Sequence, residues 1–303
     1  MGKYKIIVTG GAGFIGSHIV DALIESGHEV HIVDDMSAGK QENINEKATL
    51  HIVDIRDREK LFPIFVGVDY VFHEAAVPRV QYSIENPIET HDINVNGLLN
   101  VLETSRLNKV KRVIFASSCS VYGDQDTLPI VESMKPSPIS PYALHKYIGE
   151  RYLKLYSEIY SLETVCLRYF NAYGPRQSVD GSYPLVIAKF LDLKRQVKPL
   201  MIVGTGENTR DYVNVRDIVR ANILAMESGN VGNGEVINIG SGYQASVNKI
   251  AELVGGEVEH VAPRLEPKSL QAGIKKAKEL LNWEPSITLE DGIKELVSTP
   301  IFL

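Results

Sequence analysis

The chain has 303 residues, of which 44% are hydrophobic and 23% are charged, and these average values exclude a disordered chain, a fibre and a coiled coil. Its formal net charge of −6 argues against DNA or RNA as the main partner, because those polyanions bind basic surfaces. No apolar run approaches the roughly 18 residues that a membrane span needs, so we expect no membrane association.

The cysteine content and the first residues bear on the location of the protein. Two cysteines, Cys119 and Cys166, fit neither a disulfide framework nor a zinc cluster. We therefore expect a reduced, cytoplasmic protein without a metal site. The first four residues lead directly into an apolar run, and this start predicts that there is no signal peptide.

Short runs rich in Val and Ile alternate with helix-like stretches through the first half of the chain. These runs predict strands at residues 5–9, 29–33, 50–53, 70–73, 112–117 and 164–169. The stretches between them predict helices at residues 15–26, 88–107 and 142–160, the first of which ends at Gly27. Unbroken Val and Ile runs that alternate with helices are typical of a parallel sheet covered on both faces. The pattern predicts an α/β fold with a doubly wound parallel sheet.

The rhythm of the sequence changes after about residue 170, where Gly and Pro interrupt the pattern. The segments beyond this point predict helices at 183–195, 215–228, 247–254 and 275–281, a strand at 200–203 and a seventh sheet strand at 235–239. We expect a first domain at residues 1–170, to which a segment of about 212–240 returns. A smaller mixed α/β lobe at residues 171–303 is expected to pack at the carboxyl ends of the strands.

The first predicted strand ends in three glycines, Gly10, Gly13 and Gly16, with the spacing G-x-x-G-x-x-G. Gly10 permits a tight turn, Gly13 lets a pyrophosphate approach the backbone, and Gly16 lets the helix pack on the strand. The N-terminus of the next helix, at Phe14 and Ile15, supplies free N–H groups to phosphates. An ordinary turn is the alternative on spacing alone, but the strand before it and the helix after it favour a dinucleotide site.

An acidic pair at the end of the second strand indicates which dinucleotide is bound. Asp34 lies 18 positions after Gly16, where a carboxylate accepts hydrogen bonds from the adenosine ribose and repels the 2′-phosphate of NADP. Asp35 adds a second negative charge, and no basic residue follows before Lys40. The pair predicts NAD as the cofactor, and the alternative is a solvated acidic loop.

Two residues after the third strand are expected to lie beside the adenine. Asp54 would accept a hydrogen bond from the adenine amino group, while Ile55 covers the face of the ring. The alternative role for Asp54 is the N-cap of a helix, and the two roles are compatible.

A tyrosine and a lysine four residues apart, Tyr142 and Lys146, open the helix predicted at 142–160. Residues at this spacing share one face of a helix. A free tyrosine has a pKa of about 10, and a nearby ammonium lowers the pKa of a phenol, so the pair predicts a general base. A serine from the end of the fifth strand, where Ser117, Ser118 and Ser120 are found, would hydrogen-bond the reacting oxygen. The alternative for the pair alone is a core tyrosine with a surface lysine.

The chain resembles the extended short-chain dehydrogenase/reductase superfamily in these features and in longer motifs. The matching motifs are VTGGAGFIGSHIV (8–20), HEAA (73–76), INVNG (93–97), ASSCSVYG (116–123), SPYALHK (140–146), RYFNAYGPRQ (168–177) and GTGENTRDYVNVRD (204–217). Within the superfamily they are most similar to nucleotide-sugar 4-epimerases of the UDP-galactose and UDP-N-acetylglucosamine type. The resemblance covers essentially the whole chain and implies a Rossmann-type doubly wound sheet with a smaller C-terminal substrate-binding lobe.

The resemblance implies an epimerase reaction. Tyr142 would remove the proton from the sugar 4-hydroxyl while C4 passes its hydride to tightly bound NAD. The 4-keto sugar would then turn over, and the hydride would return to the opposite face. Ser118 is implied as the catalytic serine, and Lys146 would also hold the nicotinamide ribose. Ser117 is expected to contact the cofactor. Its alternative role is a hydrogen bond at the end of the strand.

The resemblance also implies further cofactor contacts. Asn94 would order the active-site backbone and the cofactor loop, Ala75 and Ala76 would leave room for the cofactor, and Tyr169 would flank the nicotinamide. The alternative role for Asn94 is a hydrogen bond within a helix, and the alternative for Tyr169 is a core aromatic.

Substrate contacts are implied in the second half of the chain. Asn171, Arg210 and Arg264 would hold the diphosphate of a UDP-sugar, and a planar, permanently charged guanidinium suits that role. The position that limits the size of the sugar 2-substituent falls near Ser269 or Leu270, and without a large aromatic there N-acetyl sugars would fit.

The residues before Val121 separate the reaction types. Related dehydratases and decarboxylases carry a carboxylate there, whereas this chain has Cys119 and Ser120, which favours simple epimerisation. Cys119 is expected to be a packing residue. The alternatives that stay open are a uronate 4-epimerase, a decarboxylase or dehydratase, and a non-catalytic NAD-binding regulator.

The resemblance implies a homodimer, because family members pair through helices that correspond to 88–107 and 142–160. Apolar residues are available on both helices, namely Leu98, Leu102, Leu153 and Tyr156. Ordinary core packing is the alternative role for these four side chains.

Overall fold

A computed structural model describes residues 2–179, 185–262 and 269–299 of the chain. Arg264 and the start of the helix predicted at 183–195 lie outside these described residues. Within them, the strands are β1 (Lys5–Thr9), β2 (Glu29–Asp34), β3 (Thr49–Ile52), β4 (Tyr70–His73), β5 (Arg112–Ser118), β6 (Glu163–Tyr169), β7 (Asn171–Tyr173), β8 (Leu200–Val203), β9 (Thr209–Asn214), β10 (Asn233–Ile239), β11 (Gln244–Ser246) and β12 (Val258–Val261).

Seven of the described strands form one sheet in the order β10-β6-β5-β4-β1-β2-β3. All six pairings in this sheet are parallel. The first strand lies inside the sheet and the chain proceeds outward on both of its sides, which confirms the predicted Rossmann-type, doubly wound arrangement. The seventh strand predicted at 235–239 is confirmed and begins two residues earlier than expected.

The described helices are α1 (Phe14–Glu25), α2 (Arg58–Ile64), α3 (Val80–Glu85), α4 (Pro87–His91), α5 (Leu98–Leu107), α6 (Pro141–Tyr160), α7 (Val186–Arg195), α8 (Val215–Glu227), α9 (Val247–Val254), α10 (Lys275–Leu281) and α11 (Leu289–Ser298). The single helix predicted at 88–107 is instead α4 and α5 joined by a π-helical segment at Asp92–Gly97. The sequence did not predict α2, α3 or α11, nor the strands β7, β9, β11 and β12.

Helix α1 illustrates how the apolar pattern and the end signals produce an element. Ile19, Val20 and Leu23 are buried, and their spacing of about one helical turn places them on one face. The helix ends at Glu25, and Gly27 adopts a φ of 85°, a conformation that glycine accepts without steric cost. The predicted C-terminal signal at Gly27 is therefore confirmed.

Two apolar layers cover the faces of the large sheet. Side chains of α1 and α8 belong to one layer, and side chains of α2, α5 and α6 belong to the other. Leu98, Leu102, Leu153 and Tyr156 are buried in the second layer. Of the two roles that the sequence left open for these residues, core packing is the one observed.

The later part of the chain adds two small sheets at the carboxyl ends of the parallel strands. Strands β7, β9 and β11 form one sheet, and β8 pairs with β12 in the other. Helices α7, α9 and α11 share a separate apolar cluster with these strands. Across the described ranges, none of the helices combines the length and the apolar character that crossing a membrane requires.

Candidate active site

The glycine-rich turn joins β1 to α1 and is tightly constrained. Gly10 has a φ of 70°, its N–H donates to the Val33 carbonyl at 2.8 Å, and a Cβ on it would lie 2.7 Å from the Ala75 backbone nitrogen. A Cβ on Gly16 would overlap the Gly10 carbonyl. Gly16 thus lets the helix pack on the turn itself, a more local contact than the predicted packing on the strand.

The N-terminus of α1 is open to an anion. Gly13 is its N-cap and supplies no side-chain hydrogen bond, and the first turn, which begins with Phe14 and Ile15, holds no acidic residue. The first N–H groups of a helix carry a partial positive charge. The turn and the helix end together therefore form a cradle of the kind that binds a pyrophosphate.

Asp34 lies at the end of β2, directly beside this cradle. Its Oδ2 accepts the N–H of Ala12 at 3.0 Å and its Oδ1 accepts the N–H of Met36 at 2.9 Å. Burial raises the pKa of this carboxyl, and the two backbone N–H groups oppose the rise. Each oxygen keeps further acceptor capacity, so the carboxylate can receive ribose hydroxyls while it fixes the glycine turn.

The other residues expected around the adenosine are arranged differently. Asp35 is exposed and accepts the Ser37 N–H and hydroxyl at 2.9 and 2.6 Å. Asp54 is paired with the Arg56 guanidinium through both carboxylate oxygens, at 3.1 and 3.0 Å from Nε. The alternative role of Asp54 as a helix N-cap is wrong, because Asp57 caps α2 instead.

Ile55 is buried and packs against Gly97, where a Cβ would lie 2.5 Å from its Cδ1. The side chain therefore belongs to the apolar layer formed by α2, α5 and α6. Because Ile55 is held in this layer, only the part of its side chain that faces away from the layer would be free to cover an adenine.

The loop after β4 is held by the π-helical segment. Asn94 Oδ1 accepts the Val77 N–H at 2.7 Å, and its Nδ2 donates to the Val77 carbonyl at 3.1 Å. This paired contact orders the backbone that follows Ala75 and Ala76, and Ala75 lies against Gly10 at the turn. The geometry agrees with the loop-ordering role predicted for Asn94 rather than with a hydrogen bond confined to its own helix.

Helix α6 carries Tyr142 and Lys146 into the same site. Ser140 caps this helix by accepting the Ala143 N–H at 3.2 Å, and Pro141 begins it, as is typical of a helix start. The Lys146 ammonium donates to the Ala116 carbonyl at 2.7 Å and lies 5.9 Å from the centre of the Tyr142 ring. Both side chains are buried, so the alternative of a surface lysine is excluded.

The pKa of Tyr142 is governed mainly by burial, and the effect predicted for Lys146 stays a prediction. Burial raises the pKa of Tyr142 to about 12, although a hydrogen bond with the Ser118 side chain opposes the rise. The ammonium itself loses hydration, so burial lowers the pKa of Lys146. Spacing along the helix gave the proximity of the two groups correctly, and both groups lose hydration where they are buried.

The three serines at the end of β5 have separate roles. The side chain of Ser118 faces Tyr142 and accepts a hydrogen bond from the Ser120 hydroxyl at 2.9 Å. The Ser117 hydroxyl donates to Glu150 Oε1 at 2.6 Å inside the protein. The expectation that the Ser117 side chain contacts the cofactor is therefore not supported, and its alternative role as a strand-end hydrogen bond is the one observed.

A half-buried carboxylate near the site, that of Glu74, was missed in the sequence. Glu74 accepts the Tyr169 hydroxyl at 2.9 Å, and the Asn222 amide donates to the same hydroxyl at 2.7 Å. Burial raises the pKa of Glu74, and the Lys146 ammonium opposes the rise. The signal available in the sequence was a carboxylate directly after the apolar strand β4, within HEAA. Tyr169 itself is buried in the core layer of α1 and α8, which is the alternative role that the sequence left open.

The substrate-side residues are carried by β7 and β9. Asn171 Nδ2 donates to the Asp211 carbonyl at 2.9 Å, and Arg210 Nη1 donates to the Thr209 carbonyl at 2.8 Å. Asp211 binds the following loop by accepting the Ser241 and Gly242 N–H groups at 2.6 and 2.9 Å. Asn171 and Arg210 are thus on neighbouring strands, while Arg264 lies outside the described residues.

The two cysteines are buried and free. Cys119 packs with Tyr122, Phe170 and Ala272, and burial raises the pKa of its thiol to about 12. Cys119 is therefore a packing residue as predicted. In the part of the chain that is described, no group of three or more His, Cys, Asp or Glu side chains is arranged to hold a metal ion.

The arrangement fits a dinucleotide. Gly10 and Gly16 leave a cradle that a Cβ would fill, the α1 N-terminus offers free N–H groups, and the Asp34 carboxylate lies beside the turn. Tyr142 and Lys146 lie near the carboxyl end of β5, where the Lys146 ammonium donates to the Ala116 carbonyl. A ligand with an anionic group for the α1 N-terminus and hydroxyls for Asp34 matches these residues.

Comparison with known proteins agrees with this geometry. Residues 6–240 match the NAD dependent epimerase/dehydratase family. A putative UDP-glucose 4-epimerase of Methanocaldococcus jannaschii is 43% identical over 302 residues, which cover 97% of both chains.

Two solved structures are similar over nearly the whole fold. The UDP-glucose 4-epimerase of Thermotoga maritima, solved with UDP-glucose, has a TM-score of 0.92 and 42% identity over 97% of both chains. The UDP-N-acetylglucosamine 4-epimerase of Methanobrevibacter ruminantium, solved with UDP-N-acetylmuramic acid, has a TM-score of 0.93 and 37% identity over 98% of both chains. The chain therefore belongs to the NAD dependent epimerase/dehydratase family, as an enzyme that uses NAD and is similar throughout its length to UDP-sugar 4-epimerases.

Proposed function

We propose that the protein inverts C4 of a UDP-hexose, interconverting UDP-glucose and UDP-galactose through a transient 4-keto sugar. The observation that carries this proposal is the placement of Tyr142, Lys146 and Ser118 around one point beyond the carboxyl ends of the parallel strands. That point lies at the far end of the cleft from Asp34, where the reactive ring of NAD would be.

Each of the three residues has a distinct task in this proposal. Tyr142 takes the proton of the sugar 4-hydroxyl and later returns it. Ser118 hydrogen-bonds the same sugar oxygen, and Ser120 orients the Ser118 hydroxyl. Lys146 holds the nicotinamide ribose while its charge favours the phenolate. When bound, oxidised NAD supplies the hydride acceptor and a positive charge close to the phenol.

The surroundings of Ser118 favour epimerisation over dehydration or decarboxylation. Cys119 and Ser120 occupy the place where enzymes of those two types carry their extra carboxylate, and the Cys119 thiol is buried and held neutral. In this proposal Glu74, which lies near Lys146 and accepts the Tyr169 hydroxyl, has a structural role and does not reach C5. Proton removal at C5 of the sugar is left without a base.

The diphosphate is proposed to bind between the two parts of the chain. Arg210 and Asn171 lie on adjacent strands at the carboxyl ends of the large sheet, and Arg264 is proposed as a second guanidinium contact. We propose residues 1–170, with the returning segment at about 212–240, as the NAD domain, and residues 171–303 as the substrate lobe. The pairing of β10 with β6 supports the returning segment.

A second candidate substrate is UDP-N-acetylglucosamine. Ser269 and Leu270, near the expected site of the sugar 2-substituent, are not large aromatics, and both contact Thr209. The similarity to the Methanobrevibacter ruminantium enzyme supports the same candidate.

Product analysis with a panel of UDP-sugars tests the proposal. Incubation with UDP-glucose, UDP-N-acetylglucosamine or UDP-glucuronate, without added NAD, is expected to give the 4-epimer of the first and, if the 2-position is open, of the second. Tyr142→Phe is expected to keep NAD and to lower turnover by roughly 10³-fold or more, within the range by which proton-transfer groups act. Tyr147→Phe, on the same helix, is the matched control.

The other outcomes identify the rival functions. Release of carbon dioxide or loss of water would show that the epimerase proposal is wrong. Turnover of UDP-glucuronate alone would identify a uronate 4-epimerase. Bound NAD without turnover of any sugar would identify a non-catalytic regulator.

A further inference from the structure

Helix α6 carries a third polar residue on the face that bears the reactive pair. Tyr142, Lys146 and Glu150 follow one another at intervals of four residues, and their exposed fractions are 9%, 5% and 3%. Residues four apart lie on one side of a helix. The side of α6 that packs against the sheet is therefore polar at three successive turns, where apolar side chains would otherwise be expected.

Glu150 is fixed by two strands of the large sheet. Its Oε1 accepts Arg168 Nε at 2.7 Å and its Oε2 accepts Arg168 Nη2 at 2.6 Å, a bidentate contact. The Ser117 hydroxyl donates to Oε1 at 2.6 Å. Arg168 belongs to β6 and Ser117 to β5, so one carboxylate joins the helix to both strands.

Arg168 extends this contact to the far side of the site. Its guanidinium carbon lies 4.4 Å from the centre of the Tyr122 ring, and the Tyr122 hydroxyl donates to Asn238 Oδ1 at 2.7 Å. Tyr122 is in the short segment that follows Ser118, and Asn238 is in β10. The ion pair is therefore connected to the strand ends on both sides of the reacting point.

A buried ion pair such as Glu150–Arg168 does not by itself increase the free energy of unfolding. Both side chains are 3% exposed, and the desolvation of two charges cancels much or all of their attraction, so well-packed apolar residues would hold the helix at least as firmly. The bidentate contact does fix the position of α6 along the axis of β6. The planar guanidinium of Arg168 binds the Glu150 carboxylate in one orientation.

Charged and titratable groups face the Lys146 ammonium from the end of β4 and from its own helix. Glu74 and His73 lie on the β4 side, and Glu150 and Tyr142 lie on α6. Burial lowers the pKa of Lys146, while the charges of Glu74 and Glu150 oppose the decrease. His73 is neutral, since burial lowers its pKa to about 3.

We propose that Glu150 and Arg168 are a positioning pair, which fixes where α6 lies along β5 and β6. The carboxylate of Glu150 also supplies a fixed negative charge one helical turn from the Lys146 ammonium. The inference rests on the proposed function, in which Tyr142 and Lys146 act on the substrate and the cofactor. Neither Glu150 nor Arg168 touches the reacting atoms.

The charge is tested with Glu150→Gln, which keeps the shape and an acceptor for Ser117. Without the negative charge the Lys146 ammonium is less stable, so its pKa is expected to fall by about one pH unit. The alkaline limb of the kcat profile is expected to move to lower pH by the same amount. kcat is expected to fall by about 10- to 100-fold, while KM stays within about two-fold of wild type.

The control variant is Glu163→Gln. Glu163 pairs with Arg112 at 2.8 Å on the same two strands but at their opposite ends. Neither kcat nor the alkaline limb of its pH profile is therefore expected to change in this variant. Equal shifts in the two variants, or an unchanged Lys146 pKa in Glu150→Gln, would overturn the proposal.

A second variant separates positioning from stability. Glu150→Gln with Arg168→Met removes both charges and leaves no unpaired guanidinium, so the thermal midpoint is expected to stay near that of wild type. The pKa of Lys146 and kcat are still expected to fall. Wild-type values of both in this folded variant would show that the pair has no such role.

The Lys146 titration is read by NMR on protein with isotope-labelled lysine, with Lys146→Met used to assign the signal. This measurement needs no substrate. A protein that fails to epimerise any sugar would overturn the proposed function, yet the titration would still decide whether Glu150 supports the ammonium.

Discussion

Asp34 holds the glycine turn through the N–H of Ala12, and we propose that the same carboxylate binds the adenosine ribose. We expect Asp34→Asn to weaken NAD binding by about 10-fold or more, since hydrogen bonds to a charged group contribute roughly 1.5–3 kcal/mol. Discrimination against NADP is expected to decrease as well. Calorimetric titration of the NAD-free protein with each dinucleotide measures both effects.

The pH dependence of NAD binding gives a second measurement on Asp34. Burial raises the pKa of this carboxyl, so it becomes protonated at a higher pH than an ordinary aspartate. NAD affinity is therefore expected to fall as the pH decreases through that raised pKa, and Asp34→Asn is expected to lose this dependence. Asp35→Asn, whose exposed side chain is tied to Ser37, is the control. A wild-type preference for NADP would contradict the interpretation of β2.

At the scale of single residues, the sequence predicted which side chains lie close together better than it predicted their pKa values and hydrogen-bond partners. The spacing of Tyr142 and Lys146 predicted that they meet, but the pKa of about 12 for Tyr142 depends on burial by elements distant in sequence. Ser117 was expected among the cofactor contacts, whereas its hydroxyl donates to Glu150, a partner 33 residues later in the chain. Contacts of this kind are fixed by the tertiary structure.

At the scale of elements, the π-helical segment determines what Asn94 contacts. Its side chain satisfies both the N–H and the carbonyl of Val77, so Asn94→Ala would leave two backbone groups without partners. We expect a loss of roughly 1–3 kcal/mol in the free energy of unfolding and weaker NAD binding, measured by urea denaturation and by calorimetry.

Asn96 is the matched control for this element. It belongs to the same π-helical segment but is exposed and donates only to Asp92 Oδ1 at 2.8 Å. Asn96→Ala is expected to change neither quantity appreciably. Equal destabilisation by the two variants would mean that the segment, and not the Val77 contact, is what matters.

The sequence predicted the strong elements of the fold and missed the weak ones. Strand β1 is an unbroken apolar run and α1 has a clear apolar face with an end signal, so both were located to within a residue. Strand β11 has three residues and forms through pairing with β9, so its own composition gives no signal. The π-helical segment keeps a helical apolar pattern, and nothing in INVNG distinguishes it from an α-helix.

At the scale of the whole molecule, apolar side chains remain exposed around α4 and α6. Ile88, Ile139 and Leu144 line one groove, and Ile88 is 86% exposed. Leu155 and Ile159 continue this exposed surface along α6. A monomer rarely leaves such a patch in water, and we propose that a second copy of the chain covers it. The helices are those that the sequence indicated, but the residues are the outward-facing ones.

The oligomeric state tests this proposal directly. Ile88→Asp with Leu144→Asp would place two carboxylates in the apolar contact, where their desolvation is costly, so we expect the variant to be monomeric at micromolar concentration while wild type is dimeric. Light scattering after size-exclusion chromatography measures the mass.

The control for the oligomeric state is Val197→Asp. It replaces a side chain that is 92% exposed just beyond α7, away from the groove, and this variant is expected to stay dimeric. A wild-type protein that is monomeric at the same concentration would contradict the proposal. Because Tyr142 lies in the first turn of α6, next to Leu144, a monomeric variant is also expected to lose part of its turnover as the start of α6 becomes less rigid.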